Sequence, residues 1–109
     1  MSFPLEISVE EANQLLTQAP ETVSLIDVRE PHETAFCQVR NSKLVPMRQI
    51  PEVMASLPRE THLLILCHHG GRSQRVTEYL RSHGFTRVTN VNGGIDAWSE
   101  RIDPSIPRY

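Results

Sequence analysis

The segment Cys67-His68-His69-Gly70-Gly71-Arg72-Ser73 sets a thiol, two imidazoles, two glycines, a guanidinium and a hydroxyl in consecutive positions. Three chemistries fit such a set: a thiolate nucleophile in an anion cradle, a metal cluster, or none, the segment only joining a strand to a helix. The apolar run Leu63 to Cys67 ends on the thiol, and a helical pattern begins at Arg72. A cysteine in that position lies in the positive end of a helix dipole, and Arg72 adds a full charge. Both favour the thiolate, the form that attacks. Gly70 and Gly71 allow positive φ, which would turn successive N–H groups toward one centre as an anion-binding nest. The plain alternative is a small buried hydrophobe followed by glycines that turn the chain. Gly-Gly-Arg-Ser ahead of a helix favours the functional side. A metal is not expected: Cys67, His68 and His69 are adjacent, so they converge poorly on one ion, and no C-x-x-C or H-x-x-x-H supports them. No other cofactor is implied.

The elements that must position this loop alternate between strand and helix. ISVEEANQLLTQA carries Ser8 with Glu11 three residues later, a capping-box pattern, and Ala12, Leu15, Leu16 and Ala19 share a face. Val23–Val28 is an apolar, β-branched strand closed by the polar turn REPHE, with a short helix through Glu33 to Phe36. KLVPM reads as a strand, QIPEVMASLP as a helix entered through Pro51, and LLILC as a buried strand. Arg72–His83 is a helix with Val76, Tyr79, Leu80 and His83 in register, Gly84 at its C′ position and Phe85 folding back on Leu80. RVTNV is the last strand. GGIDAWSERI is the last helix, with Ile95, Trp98 and Ile102 facing inward, and DPSIPRY is an irregular tail. Strands that are apolar throughout imply burial on both faces, hence a parallel sheet between helical layers. In such sheets ligands collect outside the carboxyl ends of the strands, where Cys67 lies.

At 109 residues the chain has the length of one domain, expected over 1–109 with 104–109 irregular. A net charge of -2 gives no reason to expect nucleic acid or an anionic membrane as partner. MSFPLEISVEE shows no basic-then-apolar leader. Two cysteines cannot build a secreted disulfide framework, so the cytoplasm is the expected compartment.

CHHGGRS, LIDVREPHE and VNGGIDAW, in that order, resemble a single-domain rhodanese. The resemblance implies a three-layer α/β/α sandwich around a five-stranded, mainly parallel sheet. It makes Cys67 the sulfur-carrying nucleophile, and His68, His69, Gly70, Gly71, Arg72 and Ser73 the loop that cradles the persulfide. Asp27 and Arg29 match the D-x-R turn that supports the site from the neighbouring strand. Gly93, Gly94 and Trp98 match a G-G-x-x-A-W segment whose small residues let it lie close to the active loop. The segment Cys37–Pro46, CQVRNSKLVP, departs from the family's usual G-H-I-P-G-A-x-N-I-P, so no site residue is carried over from it. GGIDAWSERIDPSIPRY is similar to the ends of rhodanese domains fused to the adenylating enzymes of sulfur-carrier pathways.

The activity so implied is transfer of a sulfane sulfur from thiosulfate or a persulfide to cyanide, a thiol or a biosynthetic acceptor, through a Cys67 persulfide in two half-reactions. Small sulfur donors and acceptors, and a sulfur-donating or sulfur-accepting protein, are the implied partners. The alternative is a persulfide carrier or regulatory binding module with little small-molecule turnover. A cysteine phosphatase shares the loop logic but needs five residues between cysteine and arginine, and Arg72 follows Cys67 after four. His68 and His69 are either donor-binding or bystanders, and Arg72 either grips an anionic donor or points into solvent. Cys37 is read as structural.

Overall fold

The computed structural model describes residues 3–109; the first two residues of the N-terminal stretch read above lie outside them. Five strands and five α-helices follow one another as β1 (Glu6–Ile7), α1 (Val9–Gln18), β2 (Val23–Asp27), α2 (Pro31–Phe36), β3 (Lys43–Leu44), α3 (Ile50–Val53), β4 (His62–Leu66), α4 (Gly71–Ser82), β5 (Val88–Val91) and α5 (Gly94–Arg101). The sheet order is β1-β5-β4-β2-β3, and every pairing is parallel. This is the expected sandwich. All five residues of the central strand β4 are buried, because each of its faces meets a separate core. Leu64 and Leu66 pack with Val9, Ala12, Ile95 and Trp98 under α1 and α5. Leu63, Ile65 and Cys67 pack with Ile50, Val76 and Leu80 under α3 and α4. Truncating one of these leucines to alanine costs about 2–5 kcal/mol through lost burial and the cavity left behind.

Local chemistry sets the helix ends. The Ser8 hydroxyl accepts from the Glu11 amide at 3.1 Å, and the Glu11 carboxylate accepts from the Ser8 amide at 3.4 Å, as the capping pattern predicts. At the end of α4, Gly84 takes a φ of 93°. Its amide bonds the Arg81 carbonyl while the Phe85 amide bonds that of Leu80, each at 3.1 Å. This is the Schellman geometry.

Three expectations need correction. QIPEVMASLP is not one helix: 3-10 turns at Met47–Gln49 and Met54–Ser56 flank a four-residue α3. Pro51 has no amide to offer the Met47 carbonyl, so the Ile50 amide takes it in the tighter pattern. KLVPM shortens to Lys43–Leu44, although the amides of Val45 and Met47 still bond Asp27 O and Val28 O on either side of Pro46. The sequence shows four of the five strands; the other, β1 (Glu6–Ile7), is too short to announce itself. The tail is irregular but not loose: Ile106 is buried in the core beneath α1 and α5. No helix among the described residues is long and apolar enough to cross a membrane.

Candidate active site

Connections leave the carboxyl ends of β4 and β2 in opposite directions, one to β5 and the other to β3, so a crevice opens between these two strands. Cys67 follows β4 there, and Asp27 ends β2. Cys67 is 1% exposed. Its sulfur receives the Gly70 amide at 3.1 Å and lies 3.2 Å from the Ser73 hydroxyl. Gly70 sits at φ 111°, and that left-handed turn is what aims its N–H back at the sulfur. Gly71 does not share this geometry. Contrary to expectation it is the first residue of α4, outside the positive-φ set, with nothing within 4 Å of where a Cβ would stand. The curl therefore comes from one glycine, and the second opens the helix whose positive dipole end lies beside the sulfur.

The loop is anchored from behind by the N-terminus of α5. Ile95 N donates to Cys67 O at 2.9 Å, and Asp96 N to His68 O at 3.1 Å. Gly94 sits at φ 59° between them, where a Cβ would fall 2.4 Å from both loop carbonyl oxygens. Gly93 precedes it at φ 84°, and Trp98 is in the core.

Asp27 and Arg29 are fully buried and paired at 2.7 Å. Arg29 also donates to Cys37 O at 2.8 Å and to the Tyr109 hydroxyl at 2.9 Å. Burial works against the charge of Arg29, but its bonds to Asp27 and Tyr109 outweigh this and raise its pKa further. The Tyr109 hydroxyl in turn donates to Glu33 at 2.7 Å, and Glu33 binds Arg72 through both carboxylate oxygens, at 2.7 and 2.9 Å. The Arg72 bonds hold the Glu33 carboxyl well below the usual range, and burial pushes the Tyr109 phenol up to about 12. A continuous polar chain thus runs Asp27–Arg29–Tyr109–Glu33–Arg72, from β2 to the first turn of α4. Arg72 neither reaches toward an open anion site nor points freely into solvent. It is held by Glu33.

His68 stacks flat on Tyr109, with centroids 3.8 Å apart and planes 5° from parallel, and its Nε2 lies 2.9 Å from Tyr109 O. Burial, then the neighbouring His69, lowers its pKa. His69 stacks on the outer side of His68 and is mostly exposed. His68, His69 and Asp96 have ligand-type atoms within 4.8 Å of one another. The His68 Nε2 is already engaged by Tyr109 O at 2.9 Å, and Asp96 is already bound by Arg108 at 3.0 and 3.1 Å. That group suits a metal poorly.

Sequence reasoning missed three participants. Glu33 and Tyr109 join through contacts 76 and 39 residues apart in the chain, which no local pattern reveals. Asn90 had a signal: a polar residue inside the apolar strand RVTNV must find partners. Its Oδ1 accepts from the Ser73 hydroxyl and its Nδ2 donates to Gly70 O at 3.3 Å, bracing the loop. Among the described residues no buried side-chain nitrogen or oxygen lacks a partner.

The arrangement suits a sulfur anion at the head of α4, facing the Gly70 amide. A family model described as a rhodanese-like domain matches residues 8–101. The chain is 40% identical over 111 residues to the rhodanese-like/PpiC domain-containing protein 12, chloroplastic, of Arabidopsis thaliana, covering 95% of this chain and 37% of that protein. It is 37% identical over 101 residues to a sulfurtransferase of Allochromatium vinosum, covering 93% and 94%. It is also similar to the adenylyltransferase and sulfurtransferase MOCS3-1 of Zea mays, 34% over 92 residues, spanning 78% of this chain and only 20% of that protein. A crystal structure of a rhodanese-like domain protein from Staphylococcus aureus superposes with a TM-score of 0.80 at 33% identity, covering 100% of this chain and 99% of that one.

Proposed function

The chain belongs to the rhodanese-like domain family, and we propose on that premise that it is a sulfurtransferase that carries sulfane sulfur as a persulfide on Cys67. One observation supports this above the rest: the Cys67 sulfur sits at the head of α4 with the Gly70 amide and the Ser73 hydroxyl at 3.1 and 3.2 Å. In the first half-reaction the Cys67 thiolate attacks the outer sulfur of a donor such as thiosulfate or a persulfide. A new S–S bond forms on Cys67, the donor's own S–S bond breaks, and its electron pair leaves with the remainder. In the second, cyanide or a thiolate attacks the outer sulfur, and the Cys67 thiolate is the leaving group. The fixed Gly70 amide and the positive end of α4 stabilise both anions without reorganising.

His68, His69, Gly70, Gly71, Arg72 and Ser73 form the loop and helix start around the carried sulfur. Ser73, with Asn90 behind it, orients the donor set. Asp27, Arg29, Gly93 and Gly94 are positioning residues: the first two fix the β2 side, Gly94 allows α5 to approach the loop, and Gly93 makes the left-handed turn that starts α5 without meeting Ala97. The relatives joined to adenylyltransferases make a sulfur-donating or sulfur-accepting protein the natural partner class, and residues 1–109 the rhodanese-like unit that would meet it in the cytoplasm. A phosphatase reading is disfavoured, since Arg72 follows Cys67 too soon and is occupied by Glu33. Purified protein is expected to transfer sulfur to cyanide or a thiol, and Cys67→Ser to abolish this while Cys37→Ser retains it. Full activity of Cys67→Ser would remove the mechanism.

A further inference from the structure

Beside the active loop runs a groove of about 300 Å³ lined by His32, Glu33, Phe36 and Tyr109. It shares two of these residues with the loop's own supports: Tyr109 stacks on His68, next to Cys67, and Glu33 holds Arg72. Phe36 and Tyr109 stand 55% and 44% exposed, with rings edge to face at 5.7 Å between centroids. Two rings fixed against one hollow present an apolar surface that the fold itself does not cover. Apart from the exposed His32, the charges around them are already compensated. Both Arg72 terminal nitrogens bind Glu33, and the Tyr109 hydroxyl is shared between Arg29 and Glu33. The groove therefore offers ring faces and a neutralised ion pair. That combination is poor for a small, strongly hydrated dianion and good for a carbon skeleton.

Resting on the sulfur-transfer reading above, we propose that Phe36 and Tyr109 bind the organic group of the sulfur donor, an organic persulfide or thiosulfonate, and that Glu33 turns the site away from inorganic thiosulfate by occupying Arg72. The chemistry balances for a thiosulfonate. The Cys67 thiolate attacks the outer sulfur, the Cys67 S–S bond forms, and the bond from that sulfur to the sulfonyl sulfur breaks, its electron pair leaving with the sulfinate.

The test compares kcat/KM for transfer to cyanide from benzenethiosulfonate, methanethiosulfonate and thiosulfate. The first two share charge and leaving-group type and differ in the organic group. The ratio of phenyl to methyl donor is expected to fall about tenfold in Phe36→Ala and to hold in Leu44→Ala, a control at another exposed apolar side chain. The ratio of thiosulfate to methanethiosulfonate is expected to rise about fivefold in Glu33→Gln, as Arg72 is released. A phenyl-to-methyl ratio in Phe36→Ala within about twofold of the parent, with Cys67 loaded by these donors, overturns the subsite and leaves sulfur transfer standing. Failure of all three donors to load the parent Cys67 overturns the sulfur-transfer reading, and this inference with it.

Discussion

The Arg72 guanidinium meets the Glu33 carboxylate face to face, with Nη1–Oε1 at 2.7 Å and Nη2–Oε2 at 2.9 Å. This parallel pair ties the first turn of α4 to α2 and fixes the helix start on which the cysteine loop is built. Fork-to-fork pairing adds geometric definition as well as energy, so the relationship has consequences for both stability and pH response.

Glu33→Gln keeps the size of the side chain and removes its charge. It is expected to lower stability at pH 7 by about 1.5–3 kcal/mol, the range for hydrogen bonds to charged groups. The folded carboxyl titrates below its ordinary value of 4.5. The pair's contribution is therefore fully present above that value and is lost as pH falls below it toward the folded pKa. Urea unfolding at pH 7 and pH 3 checks this. The gap between parent and variant should narrow at pH 3, and an equal gap at both would show that the pair does not carry the shift.

The buried pair Asp27–Arg29 predicts a larger effect. Both side chains are 0% exposed, and Arg29 carries further bonds to Cys37 O and Tyr109. Removing one partner strands a buried charge, so Asp27→Asn is expected to cost about 3–5 kcal/mol. A midpoint in urea within error of the parent would contradict this.

Two glycines of the site should answer the same substitution in opposite senses. Gly94→Ala would drive a Cβ to 2.4 Å from the loop carbonyls of Cys67 and His68. It should displace the loop and reduce sulfur transfer at least about tenfold, together with a loss of about 1–3 kcal/mol from left-handed strain alone. Gly71→Ala meets nothing within 4 Å at a helical position. It should stabilise by roughly 0.4–1 kcal/mol. Thermal melts of both variants beside the parent distinguish them, and a Gly94→Ala protein as stable and active as the parent would refute the close approach of α5.

These glycines also show where sequence reading succeeds. Periodicity and caps depend on neighbours within a turn, so the Ser8 box, the Gly84 terminus and the apolar strands were legible. The placement of Gly94 against the cysteine loop is long-range, and here the family resemblance led to it where local pattern could not. Gly70 and Gly71 look alike in sequence and differ in the fold, because the helix begins between them and only the residue before it must curl. The partner of Arg72 is hidden for a related reason: it lies 39 residues away. Tyr109, in a tail that reads as irregular, reaches the site because Ile106 is buried in the core and holds the tail down.

The central claim is that Cys67 accepts a sulfur and that the Gly70 turn helps hold it. Intact-mass measurement after donor treatment and desalting, with peptide mapping, tests it most directly. The parent should gain one sulfur, located on Cys67, and Cys67→Ser should gain none. Gly70→Val should gain little and lose it quickly with every donor, since valine resists φ 111° and the substituted turn would withdraw the amide now 3.1 Å from the sulfur. Sulfur found on Cys37 instead, or carried by Gly70→Val as fully and as durably as by the parent, would contradict the account.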